Sequence, residues 1–170
     1  YNVKSLYPFI DKQGLPPLPP YIKRESVAKD KNDYQTIYAS ERGSVAAPTA
    51  GLHFTKGLLN KIEKKGVKIV YITLHIGLGT FRSILVEDLT RHHMDSEFYD
   101  IPIETANIIN DAKSKKKKVW TVGTSTNRAL ETVVVSGFQI TAKRGWTDKF
   151  IYPPYKFKMC DRLITNFHQP

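Results

Sequence analysis

The chain has 170 residues, with 26 Lys+Arg against 16 Asp+Glu and a formal net charge of +10. At 41% hydrophobic and 25% charged residues it has the composition of a folded globular domain, and no run approaches the ~20 apolar residues that a membrane-spanning helix needs. Cys160 is alone, which excludes an internal disulfide and a cysteine-based zinc site; with no secretory pattern at Tyr1, the cytoplasm is the expected location and no membrane partner is expected.

In chain order, Tyr1 to Arg24 contains GLPPLPPYIKR and has five prolines from Pro8 to Pro20, so residues 1–24 read as a connection in extended or polyproline conformation. A charged segment, Glu25 to Asp33, leads to the short β-prone YQTIYA at Tyr34 to Ala39. Polarity then collapses in GSVAAPTAGLHFT, Gly43 to Thr55, where small uncharged residues suit backbone lying close to a ligand. Thr55 can cap a helix over Lys56 to Lys65 with Leu58, Leu59 and Ile62 on one face and Gly66 as its stop. VKIVYITLHIGL, Val67 to Leu78, reads as a buried strand. Pro102 starts a helix over Ile103 to Ser114 with Ala106, Ile109 and Ala112 along a stripe. VWTV, Val119 to Val122, is a short strand, and a helix from Thr126 carries Leu130, Val133 and Val134. KFIYP and RLITNF are further strand candidates. Strands alternating with helices predict an α/β domain on a mainly parallel sheet flanked by helices. Ligands then gather where loops leave the carboxyl ends of strands.

Four segments carry groups that can do chemistry. LHIGLGTFR holds His75, Gly77, Gly79, Thr80 and Arg82; its GxG lacks the third glycine of a dinucleotide fingerprint, which leaves backbone freedom beside a histidine, a hydroxyl and a guanidinium, against an equal alternative of a tight turn with a structural histidine. In VGTSTNRALE, Thr124, Ser125 and Thr126 sit at a helix start suited to a carboxylate or phosphate, or they are ordinary caps. RHHMDSE crowds His92, His93, Asp95 and Glu97, a spacing that matches no established metal pattern, so acid–base use of His92 or Glu97 stands against a solvated polar loop. ITNFHQP sets Asn166 and His168 beside apolar neighbours that imply partial burial. The positive charge admits either a polyanionic partner such as RNA or a lysine-rich surface. Lys115, Lys116, Lys117 and Lys118 form its densest run, at a helix-to-strand turn.

Taken together, LPPYIKR, YQTIYA, GSVAAPTAGLHFT, LHIGLGTFR, GTSTNRALE, GWTDKFIYP and LITNFHQP occur in the order seen in the S-adenosylmethionine:tRNA ribosyltransferase-isomerase family of queuosine biosynthesis, which the chain resembles over nearly its whole length. The resemblance implies transfer and isomerisation of the ribosyl part of S-adenosylmethionine onto 7-aminomethyl-7-deazaguanine at the tRNA wobble position, giving epoxyqueuosine and releasing adenine and methionine. It also implies a two-domain protein. Residues 25–170 would then be its α/β catalytic domain, incomplete at both ends, and residues 1–24 the link from a small β-barrel domain largely absent from this chain. A monomer is expected.

The chain departs from the family where Asp95 replaces the second histidine of HxMHSE, where GTSTNRALE stands for GTTSVRxLE and where NFHQP stands for NFHLP. His92, Met94 and Glu97 still match. A sulfonium acidifies the neighbouring ribose C–H bonds, so a base there can form an ylide, loss of adenine benefits from a proton donor, and the activation requires no metal. His53, His75, His92, Glu97 and His168 are the catalytic candidates, with His53 and His75 the preferred pair. Thr49, Gly51, Gly77, Gly79, Thr80, Thr124, Ser125, Arg128 and Asn166 are the candidates for holding S-adenosylmethionine. Arg82 and the Lys115 to Lys118 run are the candidates for RNA, with Phe54 and Tyr152 as stacking surfaces. Two rival readings are an S-adenosylmethionine-dependent RNA methyltransferase and a non-catalytic RNA-binding module.

Overall fold

The computed structural model describes residues 5–77, 79 and 87–167. Local signals set the helices. Thr55 accepts the Leu58 amide at 3.1 Å and starts helix α3, Lys56–Lys64; Gly66, at φ +81°, follows its end. Helix α4, Ile103–Ser114, follows Pro102 and buries Ala106 and Ile109. Helix α5 begins two residues earlier than expected and spans Thr124–Thr132, burying Ala129 and Leu130. The proline-rich opening is not wholly extended: Tyr7–Gln13 forms helix α1, with Pro8 in the first turn where a missing amide costs nothing. The YQTIYA segment pairs with no strand, and Asp30–Asp33 before it forms a single turn, α2.

A three-stranded sheet supplies the frame. Its middle strand β2, Glu97–Ile101, lies antiparallel to β1, Thr73–His75, and to β6, Lys143–Thr147. In β2 the side chains alternate, so Glu97, Tyr99 and Ile101 face inward while Phe98 and Asp100 face outward. The inner face packs on α4 and α5 in one core that includes Tyr99, Ile101, Ile109, Leu130, Val133 and Met159. Beside it, β3, Trp120–Val122, pairs in parallel with β7, Arg162–Ile164. A tight hairpin joins β4, Val134–Val135, to β5, Gln139–Ile140, through Gly137 and Phe138, both at positive φ. The Asn110 side chain pins β5 to α4 by donating to the Ile140 carbonyl and accepting its amide, at 2.8 and 2.9 Å.

These pairings correct two expectations. Among the described residues only β3 and β7 run parallel; the other ladders are antiparallel, because β1, β2 and β6 meet through pairings that the strand–helix alternation did not contain. Of the strand expected over 67–78, the described residues 67–77 are in a ladder only at Thr73–His75, and KFIYP is in none. Elsewhere in residues 67–77, Thr105 Oγ1 donates to the Tyr71 carbonyl at 2.8 Å, Ser44 Oγ accepts the Ile76 amide at 2.9 Å, and the Ile76 carbonyl accepts the Val45 amide at 2.8 Å.

The opening segment is tied down at Asp30, whose carboxylate receives both Arg24 Nη atoms at 2.7 Å and the Val27 amide at 2.9 Å. The Arg24 guanidinium, then the Val27 amide, hold Asp30 far below the usual carboxylate range. A depressed folded value means that this tie is complete above the ordinary carboxylate pKa of ~3.9 and is lost as pH falls below it. Hydrogen exchange should therefore show the Val27 amide protected between pH 5 and 7, with protection falling below about pH 4, and Asp30→Asn should abolish that pH dependence.

Candidate active site

The carboxyl ends of β3 and β7 open onto a cleft of about 1300 Å³. Gly123 N donates to the Ile164 carbonyl at 2.9 Å, so the turn into α5 and the segment Thr165–Phe167 leave from adjacent points. Gly123 takes φ +91°, which a side chain resists, and it has none with which to cap the helix. The first-turn amides of α5 are thus left to the cleft, where Thr124, Ser125 and Thr126 line the wall at the positive end of the helix dipole.

At the floor lies a buried ion pair. Glu97, pointing inward at the start of β2, meets Arg128 of α5, with the two side chains only 5% and 9% exposed. Burial pushes the Arg128 guanidinium below its ordinary value and Asp148 opposes that shift, but an arginine remains charged at neutral pH. Arg128 Nη1 and the neighbouring Asn127 Oδ1 are buried without a hydrogen-bond partner among the described residues. Such groups are costly when unsatisfied, and both line the cleft.

The facing wall is aromatic and tightly fitted. The Tyr38 and Tyr71 rings lie 5.4 Å apart, and burial raises the Tyr38 hydroxyl pKa. A Cβ at Gly51 would come within 2.0 Å of Tyr38 Oη, so the PTAG turn that carries Thr49 rests directly on this tyrosine. A Cβ at Gly79 would likewise lie 1.9 Å from Asp95 Oδ2. His92 reaches the same cleft with its ring 4.7 Å from Phe150, which also lines it, so two rings stand together on one edge; Tyr152, 5.2 Å from Phe150, lines neither cavity.

A smaller recess of about 380 Å³ adjoins the cleft, walled by His53, Phe54, Leu58 and Ile164. Ala50, Thr165, Asn166 and Phe167 line both cavities. Asn166 Oδ1 is buried there without a hydrogen-bond partner among the described residues.

The family model for queuosine biosynthesis proteins matches residues 1–170. This chain belongs to the queuosine biosynthesis protein family. A relative from Sulfurihydrogenibium sp. (strain YO3AOP1) is 54% identical over 98% of this chain and 48% of its own length, and one from Macrococcus caseolyticus is 53% identical over 95% and 47%; both are named S-adenosylmethionine:tRNA ribosyltransferase-isomerase. The chain thus spans about half the length of the curated relatives it matches. A crystal structure of S-adenosylmethionine tRNA ribosyltransferase from Thermotoga maritima resembles it with a TM-score of 0.55 at 38% identity, covering 71% of this chain and 37% of that one.

In this queuosine biosynthesis protein the cleft gathers Thr49, Gly79, His92, Glu97, Thr124, Ser125, Arg128 and Asn166 from the sequence candidates. The preferred pair is not brought together. His53 lies in the recess, whereas His75 lines neither cavity and stacks on Phe98 at 5.2 Å, against Gly43, on the outer face of the sheet. The reason is strand parity: His75 opposes outward-facing Phe98, which opposes Trp146. Gly51 serves the site by its fit against Tyr38. Gly77 is half-buried and lines neither cavity, Phe54 lines the recess, and Tyr152 lines neither cavity. Thr80, Arg82 and His168 lie outside the described residues. The Lys115–Lys118 run sits at the amino end of β3, away from the cleft at its carboxyl end, with Lys115 paired to Asp111 and Lys118 to Asp161.

Sequence reasoning missed three contributors: Asn127, the tyrosine pair Tyr38–Tyr71, and Phe150 beside His92. YQTIYA carried the signal for Tyr38 through its two tyrosines. Among the described residues no group of three His, Cys, Asp or Glu is placed to hold a metal, and no helix is long and apolar enough to cross a membrane.

Proposed function

We propose that this chain forms the S-adenosylmethionine site of a tRNA ribosyltransferase-isomerase, which transfers and isomerises the ribosyl group onto 7-aminomethyl-7-deazaguanine in the anticodon loop and releases adenine and methionine. The observation that carries the proposal is the name shared by relatives more than half identical over nearly the whole chain. The cleft supports it. The uncapped start of α5 and the half-satisfied Arg128 suit a methionine carboxylate. The paired rings of His92 and Phe150 offer faces on which an unstacked anticodon base can rest, and Arg91 and Lys149 at the cleft supply charge for its phosphates.

His92 is the proposed acid–base group on the cleft side and His53 the one on the recess side. Glu97 takes a positioning role, since its carboxylate is committed to Arg128. In this reading residues 25–170 belong to the catalytic domain and residues 1–24 to its connection with a second domain.

Product analysis tests the proposal. The full chain, incubated with S-adenosylmethionine and tRNA bearing the 7-aminomethyl-7-deazaguanine precursor, is expected to release adenine and methionine in equal amounts. S-adenosylhomocysteine instead would make the protein a methyltransferase, and salt-dependent tRNA binding with no turnover would make it a binding module. His92→Ala is expected to lower turnover with the affinity for S-adenosylmethionine unchanged.

A further inference from the structure

We infer that the recess beside His53 is the pocket for the adenine ring of S-adenosylmethionine, with Asn166 Oδ1 as the acceptor that reads its 6-amino group. The inference rests on the S-adenosylmethionine reading above and adds where that molecule's two ends lie. At about 380 Å³ the recess is the size of a small-molecule pocket. Its walls are mostly apolar, from Ala50, Phe54, Leu58 and Ile164, which suits the faces of a heteroaromatic ring. Three polar side chains interrupt them, those of His53, Thr165 and Asn166. The buried, unpartnered Oδ1 is an acceptor waiting for an N–H donor, and the exocyclic amine of adenine is one.

Connectivity gives the second argument. Asn166 is two residues beyond Ile164, whose carbonyl is bonded to Gly123 at the start of α5. Two extended residues span at most ~7 Å, so the ring pocket and the anion-suited helix start lie within reach of one nucleoside that carries a charged amino-acid arm. The ribose would then sit at the shared wall of Thr165 and Asn166, open to the larger cleft. A tRNA base arrives on a phosphate backbone and suits the wider cavity, with its paired rings and its Arg91 and Lys149.

The test is displacement of S-adenosylmethionine from the full chain by free adenine and by N6,N6-dimethyladenine, which has no 6-amino hydrogen to donate. Adenine is expected to compete, and the dimethyl analogue to compete at least about 10-fold more weakly. Asn166→Leu should weaken adenine about 10-fold and erase most of the difference between the two ligands, while Asn166→Asp, which keeps the acceptor, should preserve it. Phe54→Ala should weaken both ligands alike. Adenine binding that is indifferent to Asn166→Leu and Phe54→Ala would overturn the assignment, as would failure of adenine to compete at all. Loss of precursor-tRNA binding in those variants, with adenine binding intact, would give the recess to the tRNA base instead. A wild-type chain that releases no adenine from S-adenosylmethionine on precursor tRNA would sink the functional reading, whereas normal release with insensitive variants would sink the pocket alone.

Discussion

Arg128→Met is expected to destabilise the protein by about 3–5 kcal/mol, because it strands the buried Glu97 carboxylate without its partner. For a chain of this size that corresponds to a fall of roughly 10 °C in the unfolding midpoint, readable by calorimetry or by urea titration. Glu97→Leu combined with Arg128→Met should recover most of the loss, since two apolar side chains of similar volume replace an ion pair that is expensive to desolvate. Recovery of stability separates two roles of the pair. The double variant is expected to fold and still bind S-adenosylmethionine poorly, because the cleft has lost the Arg128 guanidinium and its unpartnered Nη1. A double variant with normal affinity would show that Arg128 only holds the sheet to α5.

Glu131→Ala should cost about 3 kcal/mol, summed from the donors that it leaves without an acceptor. Glu131 is buried, and its two oxygens take the Lys158 and Met159 amides at 2.9 and 2.8 Å and the Tyr155 hydroxyl at 3.0 Å. It thereby folds the 155–159 segment under α5 and seats the fully buried Met159 in the core. Spectrophotometric titration gives an independent check. Burial, then the hydrogen bond to Glu131, pushes the Tyr155 hydroxyl up to about 12, and in Glu131→Ala it should fall part of the way toward the ordinary tyrosine value of ~10 while burial still holds it above that. Glu131→Gln keeps an acceptor for the two amides and should lose less stability than the alanine variant.

The helices were legible because their end signals are local. Thr55 and Gly66 bracket α3, and Pro102 opens α4 at the expected residue. The central sheet was much less so. Strand β2 lay hidden in a stretch read for its polar groups, although EFYDI alternates with the period of a strand whose Glu97, Tyr99 and Ile101 face inward. Strand β6, KRGWT, looks like surface because its exposed positions carry Lys143 and Arg144, the latter bonded to Asp100 across the ladder. For the site, strand–helix order pointed to the loops after β3 and β7, which open onto the cleft. What order could not supply was parity and register. Parity sends His75 to the outer face, and register brings Glu97 against Arg128 from far along the chain.

The wall common to the two cavities has a consequence for affinity. Ala50, Thr165, Asn166 and Phe167 belong to both, so a ligand in the recess completes the surface that a second substrate meets in the cleft. On the proposed assignment of the recess to the adenine ring and of the cleft to the RNA, this shared wall couples the two bindings, and occupancy of the recess should change the affinity measured for the ligand of the cleft.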